Sequence, residues 1–132
     1  MKENWLLQKN EQEVNLMPPL VWAYIGDSIF EVYIRTYLVN KTKSNTNKLH
    51  KEAIKYVSAK AQSNILFKIL DYLNDQEKDI VRRARNSQSH HLPKNTQVKD
   101  YMYSTAFEAL IGYLYLTKQE KRLEEILNLS IS

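Results

Sequence analysis

The chain of 132 residues contains no cysteine, only two glycines and only three prolines. Without cysteine it can form neither a disulfide nor a thiolate zinc site, and its composition fits a reducing compartment such as the cytoplasm. The scarcity of glycine and proline disfavours tight β-turns and leaves long helices uninterrupted. Because no convincing period-two alternation of a strand is found either, we expect an all-α protein with a single domain over 1–132.

We expect neither a targeting segment nor a membrane span. The first 16 residues carry acids and amides where a signal peptide needs an apolar run. One stretch, 20–39, is long enough to span a bilayer, but it contains Asp27, Glu31 and Arg35. Each of these charges would cost about 3 kcal/mol at a membrane centre. We therefore predict a buried helix of a cytoplasmic protein with no membrane association.

Helical patterns follow one another along the chain. Pro18 and Pro19 suit the start of the first long helix, since proline is tolerated in the first turn. Asn74 followed by Glu77 resembles a capping box, which predicts a helix beginning there. We expect polar loops over 41–47 and 86–97. The predicted helices cover 20–39, 48–58, 59–73, 74–85, 98–116 and 119–129.

Two of these helices share an unusual feature. Both are apolar nearly all round, which is typical of buried helices. Each nevertheless carries an acid that lies close in sequence to a glycine. Asp27 follows Gly26, and Gly112 lies one turn after Glu108. A glycine inside a helix costs about 1 kcal/mol relative to alanine, so each glycine indicates close approach of another backbone or a partner. Bringing both acids around Mg²⁺ or Mn²⁺ would satisfy them, because these cations prefer oxygen ligands.

The residues alone leave other interpretations open. Asp27, Glu31 and Arg35 are spaced i, i+4 and i+8, so Glu31 and Arg35 could form an ion pair on the helix surface. Asp27 could bind backbone amides instead of a metal. Glu108 could pair with an arginine such as Arg82.

Basic residues are concentrated in two regions. Between 80 and 99 there is no acid, and between 41 and 70 seven lysines accompany one glutamate. Such a field suits a phosphate backbone, although it would equally suit a solvated helix face or arginines paired with Asp79 and Glu77. The candidate RNA contacts are Arg82, Arg83, Arg85, Lys94 and Lys99. For His90 and His91 we expect positions in a solvent-exposed loop. Contact with RNA is the second interpretation of these histidines, and metal ligation is the third.

Two segments carry a resemblance to a known family. The stretch 20–30, LVWAYIGDSIF, resembles the signature helix of ribonuclease III, and 105–115, TAFEALIGYLY, resembles that family's second acidic helix. The likeness covers about 19–129. The segments YVSAKAQ, RARN and PKN further resemble the Mini-ribonuclease III group, which lacks a double-stranded-RNA-binding domain. Two family acids are absent, since Ala23 and Thr105 stand at their positions, which leaves the number of metals open.

The resemblance implies the ribonuclease III endonuclease-domain helical fold and a metal-dependent endoribonuclease that cuts double-stranded RNA. Asp27 and Glu108 would be the catalytic and metal-binding residues, with Mg²⁺ as cofactor and Mn²⁺ as a substitute. Glu31 is a candidate outer acid. The partners implied are a second copy of the chain, packed across a two-fold axis, and a duplex in precursor 23S ribosomal RNA.

Two other classes of function remain open from the sequence. A non-catalytic ribonuclease-III-like module that binds structured RNA would explain the two absent acids. A helical protein–protein adaptor would explain the helices but not the paired glycine and acid features. Cleavage of a duplex separates the enzyme from the module, and salt-dependent duplex affinity separates both from the adaptor.

Overall fold

The computed structural model describes residues 9–87 and 97–132, and over those ranges it contains α-helices and no β-strand. The all-α prediction is therefore confirmed for the described part of the chain. A 3₁₀ turn, Leu70–Tyr72, connects the fourth helix to the fifth. The helices are α1 (Glu11–Asn15), α2 (Pro19–Lys41), α3 (Thr46–Val57), α4 (Ala59–Ile69), α5 (Asp75–Asn86), α6 (Val98–Leu116) and α7 (Glu120–Ile131).

Local sequence chemistry accounts for most helix ends. The helix α2 begins at Pro19, and α5 begins with the predicted capping box between Asn74 and Glu77. The predicted helix 59–73 is too long, because the α-helix ends at Ile69. The chain tightens there into the 3₁₀ turn, in which the Leu73 amide donates to the Leu70 carbonyl at 3.2 Å. This leaves Asn74 extended, as its capping role requires.

The short helix α1 was not among the predicted helices. Asn10 and Glu13 form a capping box at its start, and Val14 is fully buried. The Trp22 indole donates to the Val14 carbonyl at 2.9 Å, which ties α1 to α2. A helix of five residues has too little hydrophobic periodicity for recognition from sequence, so its docking depends on these tertiary contacts.

The helix α6 forms the centre of the fold. It contacts α1, α2, α4, α5 and α7, and nearly every side chain from Ser104 to Leu116 is buried. Two edge-to-face aromatic pairs fill the α2–α6 boundary, Trp22 with Tyr113 at 5.1 Å and Phe30 with Phe107 at 4.9 Å. These contacts explain why α6 is apolar all round, since it is surrounded by other helices.

The two glycines lie where α2 crosses α6. A Cβ atom on Gly26 would overlap the Glu108 carbonyl oxygen, and one on Gly112 would overlap the Trp22 carbonyl oxygen. The predicted close approach of another backbone is thus confirmed at both positions. The contact holds the two helices at a separation that any larger residue would increase.

Within the described ranges, none of the helices combines the length and apolar character needed to cross a membrane. The segment 20–39, which was predicted to be a buried helix, is the main part of α2 and packs Trp22, Phe30 and Ile34 into the core.

Candidate active site

Asp27 and Glu108 meet at the α2–α6 crossing. Asp27 follows the glycine that touches the Glu108 backbone, and its exposed side chain lies within hydrogen-bonding reach of the Glu108 carboxyl group. Glu108 itself is half-buried and flanked on α6 by buried residues. The crossing therefore brings together two acids that are 81 positions apart in the chain.

The surroundings of Glu108 favour its protonated form. Burial contributes most, the hydrogen bond with Asp27 and the negative charge of Asp27 contribute next, and together they raise the pKa of Glu108 to about 9. In the absence of a cation, Glu108 therefore holds a proton at neutral pH. A positive charge between the two carboxylates would remove the repulsion and favour both charged forms.

A third side chain reaches this pair from α4. The Gln62 amide lies beside Glu108, where it favours the charged carboxylate and so opposes the rise in its pKa. Gln62 is 2% exposed, and its Oε1 is buried without a hydrogen-bond partner among the described residues. The site thus receives two carboxyl groups and one neutral amide, each from a different helix.

Glu31 and Arg35 form the ion pair that was one of the open interpretations of α2. The Arg35 Nε lies 2.9 Å from the Glu31 Oε2, on a partly exposed face of the helix. Glu31 is one turn beyond Asp27, and its charge is matched by Arg35. Of these two α2 acids, Asp27 is therefore the one that faces Glu108.

The two positions where the fuller family has acids are occupied by small buried side chains. Ala23 and Thr105 are each 7% exposed, and each precedes a site acid by about one helical turn. In 9–87 and 97–132, no group of three or more histidines, cysteines, aspartates or glutamates could hold a metal ion. A cation at this site would therefore rely on two carboxylates and water, with the Gln62 amide beside them.

This donor set fits a hard divalent cation. All of its ligating atoms are oxygens, which Mg²⁺ and Mn²⁺ prefer, and Mg²⁺ commonly retains several waters beside one or two carboxylates. The raised pKa of Glu108 and the unpartnered amide oxygen indicate that the site lacks positive charge. Asp27 and Glu108 could therefore hold such a cation, with Gln62 beside them.

The arginines of the basic segment lie on α5 and differ in what they contact. Arg82 pairs with Asp79 at 2.6 Å, and both side chains are about half exposed. The Arg83 guanidinium lies 4.8 Å from the centre of the Trp22 ring and donates to the Asn15 carbonyl at 3.1 Å. Arg83 is thus part of the contact between α1, α2 and α5. The pairing of Arg82 also means that its partner is Asp79 and not Glu108.

The remaining candidates for RNA contact are more peripheral. Arg85 donates to the neighbouring Asn86 at 3.3 Å and is partly exposed. Lys99 is exposed at the start of α6, with its ammonium 5.1 Å from the centre of the Phe67 ring. Lys94, His90 and His91 lie outside the described residues.

Gln62 is the site residue that the sequence did not reveal. It lies in the YVSAKAQ segment, but glutamine is also common on the exposed face of an amphipathic helix, and no pattern separates the two cases. Its burial follows from the packing of α4 against α6, which is a contact between segments distant in sequence.

Comparison with known proteins agrees with this architecture. Residues 20–119 match the family model of the ribonuclease III domain. The chain is 49% identical to a protein named Mini-ribonuclease 3 from a Thermoanaerobacter species, over 98% of this chain and 90% of the relative. A protein of the same name from Staphylococcus aureus is 47% identical, with 91% of each chain covered. A crystal structure of a protein from Fusobacterium nucleatum superposes with a TM-score of 0.80 at 35% identity, over 90% of this chain and 95% of the other.

Proposed function

The chain belongs to the ribonuclease III family, within its Mini-ribonuclease 3 group, and we propose that it hydrolyses double-stranded RNA with a divalent cation at Asp27 and Glu108. It is an endoribonuclease. The observation that supports the catalytic assignment is the meeting of these two acids at the α2–α6 crossing, where burial and the charge of Asp27 raise the pKa of Glu108. Mg²⁺ would be the natural cation, and Mn²⁺ would replace it.

Asp27 and Glu108 would hold the cation through their carboxylate oxygens. When bound, it would neutralise charge on the scissile phosphate and increase the acidity of an attacking water. Glu108 must lose its proton before it can serve as a ligand, so cation binding competes with protonation of Glu108. Asp27 is exposed and therefore open to an incoming phosphate, whereas the buried surroundings of Glu108 restrict the movement of its carboxyl group.

A homodimer is the second part of the proposal. Val21, Tyr24, Val32 and Val39 are exposed on one face of α2, and we refer to them as the α2 stripe. Tyr24 is 80% exposed, which is unusual for an aromatic residue on the outer face of an otherwise packed helix. Packing of two α2 stripes across a two-fold axis would bury the same side chains of each subunit against one another. The duplex would then lie along the valley between the subunits, and each subunit would cut one strand.

RNA binding is proposed for the exposed Arg82 and Lys99 and the partly exposed Arg85, with Arg83 and Lys94 as further candidates. Residues 19–129 would form a single catalytic domain that contacts the duplex directly. Recognition would depend on phosphates and 2′-hydroxyl groups along the shallow groove of A-form RNA more than on base sequence. Binding should therefore be strongly dependent on salt concentration.

The natural substrate that we propose is precursor 23S ribosomal RNA in the cytoplasm. This assignment is supported by the family resemblance and by the net charge of +4, which suits a polyanion. The active site needs no additional feature to accept this RNA, because any accessible A-form duplex presents the same phosphates.

Incubation of a plain RNA duplex with the protein in Mg²⁺, and in parallel with EDTA, tests the proposal. We expect both strands to be cut in Mg²⁺ and neither in EDTA, with activity restored by excess Mg²⁺ or Mn²⁺. Salt-dependent duplex binding without cleavage under any of these conditions would favour a non-catalytic RNA-binding module. The buried Ala23 and Thr105, where the fuller family has acids, are the observation in favour of that module.

A further inference from the structure

Gln62 is a buried polar side chain that neither the core nor the catalytic pair fully satisfies. It is 2% exposed on α4. Its Nε2 donates to the Val57 carbonyl, at the end of α3, at 3.1 Å. Its Oε1 is buried and has no hydrogen-bond partner in the part of the chain that the structure describes. Buried acceptors are nearly always satisfied, so an unpartnered one calls for a donor or a cation.

The orientation of the amide follows from its contact with Val57. If the amide were turned over, Oε1 would face the Val57 carbonyl oxygen, and two acceptors would then oppose each other. The hydrogen bond from Nε2 therefore keeps Oε1 as the atom that is left without a partner. The site consequently includes an oxygen acceptor whose direction is set by the backbone at the α3–α4 junction.

The same amide also donates to the Glu108 carboxyl group, and Glu108 in turn lies beside Asp27. Three side chains from α2, α4 and α6 thus converge on one point. Asp27 and Glu108 would both be ionised when they hold a cation, and ionised carboxylates are acceptors that cannot donate to Oε1. A cation with its hydration water is the group that would satisfy all three at once.

We propose that Gln62 is a positioning residue of the active site, whose Oε1 accepts a hydrogen bond from the hydration water of the divalent cation held by Asp27 and Glu108. The inference rests on the proposed function, because it requires a cation at that pair. It adds a third helix to the site and provides a neutral oxygen where the chain has no third acid. A partner of this kind orients the hydrated cation and so increases its affinity.

The test measures Mn²⁺ alone on the full-length protein without RNA, with free and bound Mn²⁺ distinguished by electron paramagnetic resonance. The variants are Gln62→Met, which keeps the length of the side chain and removes both polar atoms, and Gln62→Glu, which keeps the oxygen and adds charge. We expect Gln62→Met to weaken Mn²⁺ binding by about tenfold. We expect Gln62→Glu to bind Mn²⁺ at least as tightly as the wild type.

Thermal unfolding without metal separates positioning from a structural role. Gln62→Glu loses the amide donor to Val57, so its unfolding midpoint should fall even though its Mn²⁺ affinity is kept or increased. A purely structural residue would lose stability without that gain in binding. Because Gln62→Glu retains an oxygen, it also serves as the second variant if Gln62→Met does not fold. Ser63→Ala is the matched control, since Ser63 is the next residue of α4 and equally buried, and it should leave Mn²⁺ affinity unchanged.

The outcomes distinguish this inference from the proposed function. If the wild type binds Mn²⁺ and Asp27→Asn does not, while Gln62→Met binds as tightly as the wild type, only the role of Gln62 is wrong. Weaker Mn²⁺ binding by Gln62→Glu than by the wild type would also overturn that role. If the wild type binds no Mn²⁺ at all, the cation site at Asp27 and Glu108 is wrong, and the inference about Gln62 falls with it.

Discussion

Gly26 of α2 and Glu108 of α6 touch through their backbones, so a Cβ atom added to Gly26 would overlap the Glu108 carbonyl oxygen. The same atom would lie 2.7 Å from the Gly112 backbone nitrogen. This contact sets the separation of the two helices that carry the site acids. Because Asp27 is the next residue after Gly26, the backbone contact also determines how closely Asp27 approaches Glu108.

Gly26→Ala should destabilise the protein, although alanine usually stabilises a helix relative to glycine by about 1 kcal/mol. The added methyl group has to push α2 away from α6, and overpacking of this kind costs about 1–3 kcal/mol. Urea denaturation gives the free energy of unfolding. Ser28→Ala, at an exposed position of the same helix, is the control and should change it little. A more stable Gly26→Ala variant would contradict the close contact.

Asp27→Asn should abolish cleavage of an RNA duplex and leave folding and dimerisation intact. Asparagine keeps the shape of the side chain but carries no charge to bind a cation. The comparison is turnover in saturating Mg²⁺, with Glu52→Gln on α3 as a control that removes a partly exposed acid paired with Lys55. Retention of more than about a tenth of wild-type turnover, a loss below about 1.4 kcal/mol, would exclude the metal-binding role of Asp27.

Glu108→Gln should raise the Mg²⁺ concentration needed for cleavage and should be partly rescued by Mn²⁺. It should also change how stability depends on pH without metal. Folding raises the pKa of Glu108 to about 9 from an ordinary value of 4.5, so the folded state retains a proton that the unfolded state has lost. The wild type should therefore lose stability as pH rises between these values, and Glu108→Gln should lose less. Urea denaturation between pH 5 and 9 measures this, and equal slopes would contradict it.

Arg122→Met should strongly destabilise the fold, because Glu77 is 1% exposed and its carboxylate is held by Arg122 through contacts of 2.8 Å to each oxygen. Removal of one partner of a buried pair costs about 3–5 kcal/mol. Burial opposes the charged form of Glu77, but the bonds from Arg122 and Asn74 outweigh it and lower the pKa of Glu77. The stabilisation is therefore present above the ordinary range of a glutamate and is lost as pH falls through the lowered value.

Denaturant unfolding at neutral and acidic pH checks the prediction for Arg122→Met. The control is Arg82→Met, which breaks a pair with Asp79 that is about half exposed on both sides. That loss should stay below about 1 kcal/mol. Equal losses in the two variants would show that the burial of Glu77 does not decide the strength of its pair.

Replacement of Arg85 and Lys99 by alanine should weaken duplex binding and flatten its dependence on salt, because fewer counterions are released from the RNA. Arg83→Ala should in addition lower the free energy of unfolding by about 1 kcal/mol, since the guanidinium stacks on Trp22. Duplex affinity measured from low to high salt, together with urea denaturation, separates the two effects. Parallel salt slopes for the wild type and the double variant would move the RNA path to the lysines between 41 and 60.

Helix positions and the pair of site acids could be predicted from the sequence because they depend on local chemistry or on composition. The capping box at Asn74 and the proline start of α2 are contained within a few residues, and α6 is observed over 98–116 as predicted. Asp27 and Glu108 stand out because an acid in an apolar helix is expensive to bury without a partner. The glycines indicated close contact between helices, since a glycine inside a helix is less favourable than alanine and only packing can offset that cost.

Tertiary structure alone decided which polar groups face one another. Gln62 and Arg83 each belong to sequence patterns typical of an exposed helix face, yet packing buries Gln62 beside Glu108 and lays Arg83 on Trp22. Likewise, Glu77 was recognised as a capping residue, but its pairing with Arg122, 45 positions away, was not. Such contacts depend on how helices that are distant in sequence cross one another. The hydrophobic periodicity of a helix indicates which of its faces is apolar, but it does not indicate which other helix packs against that face.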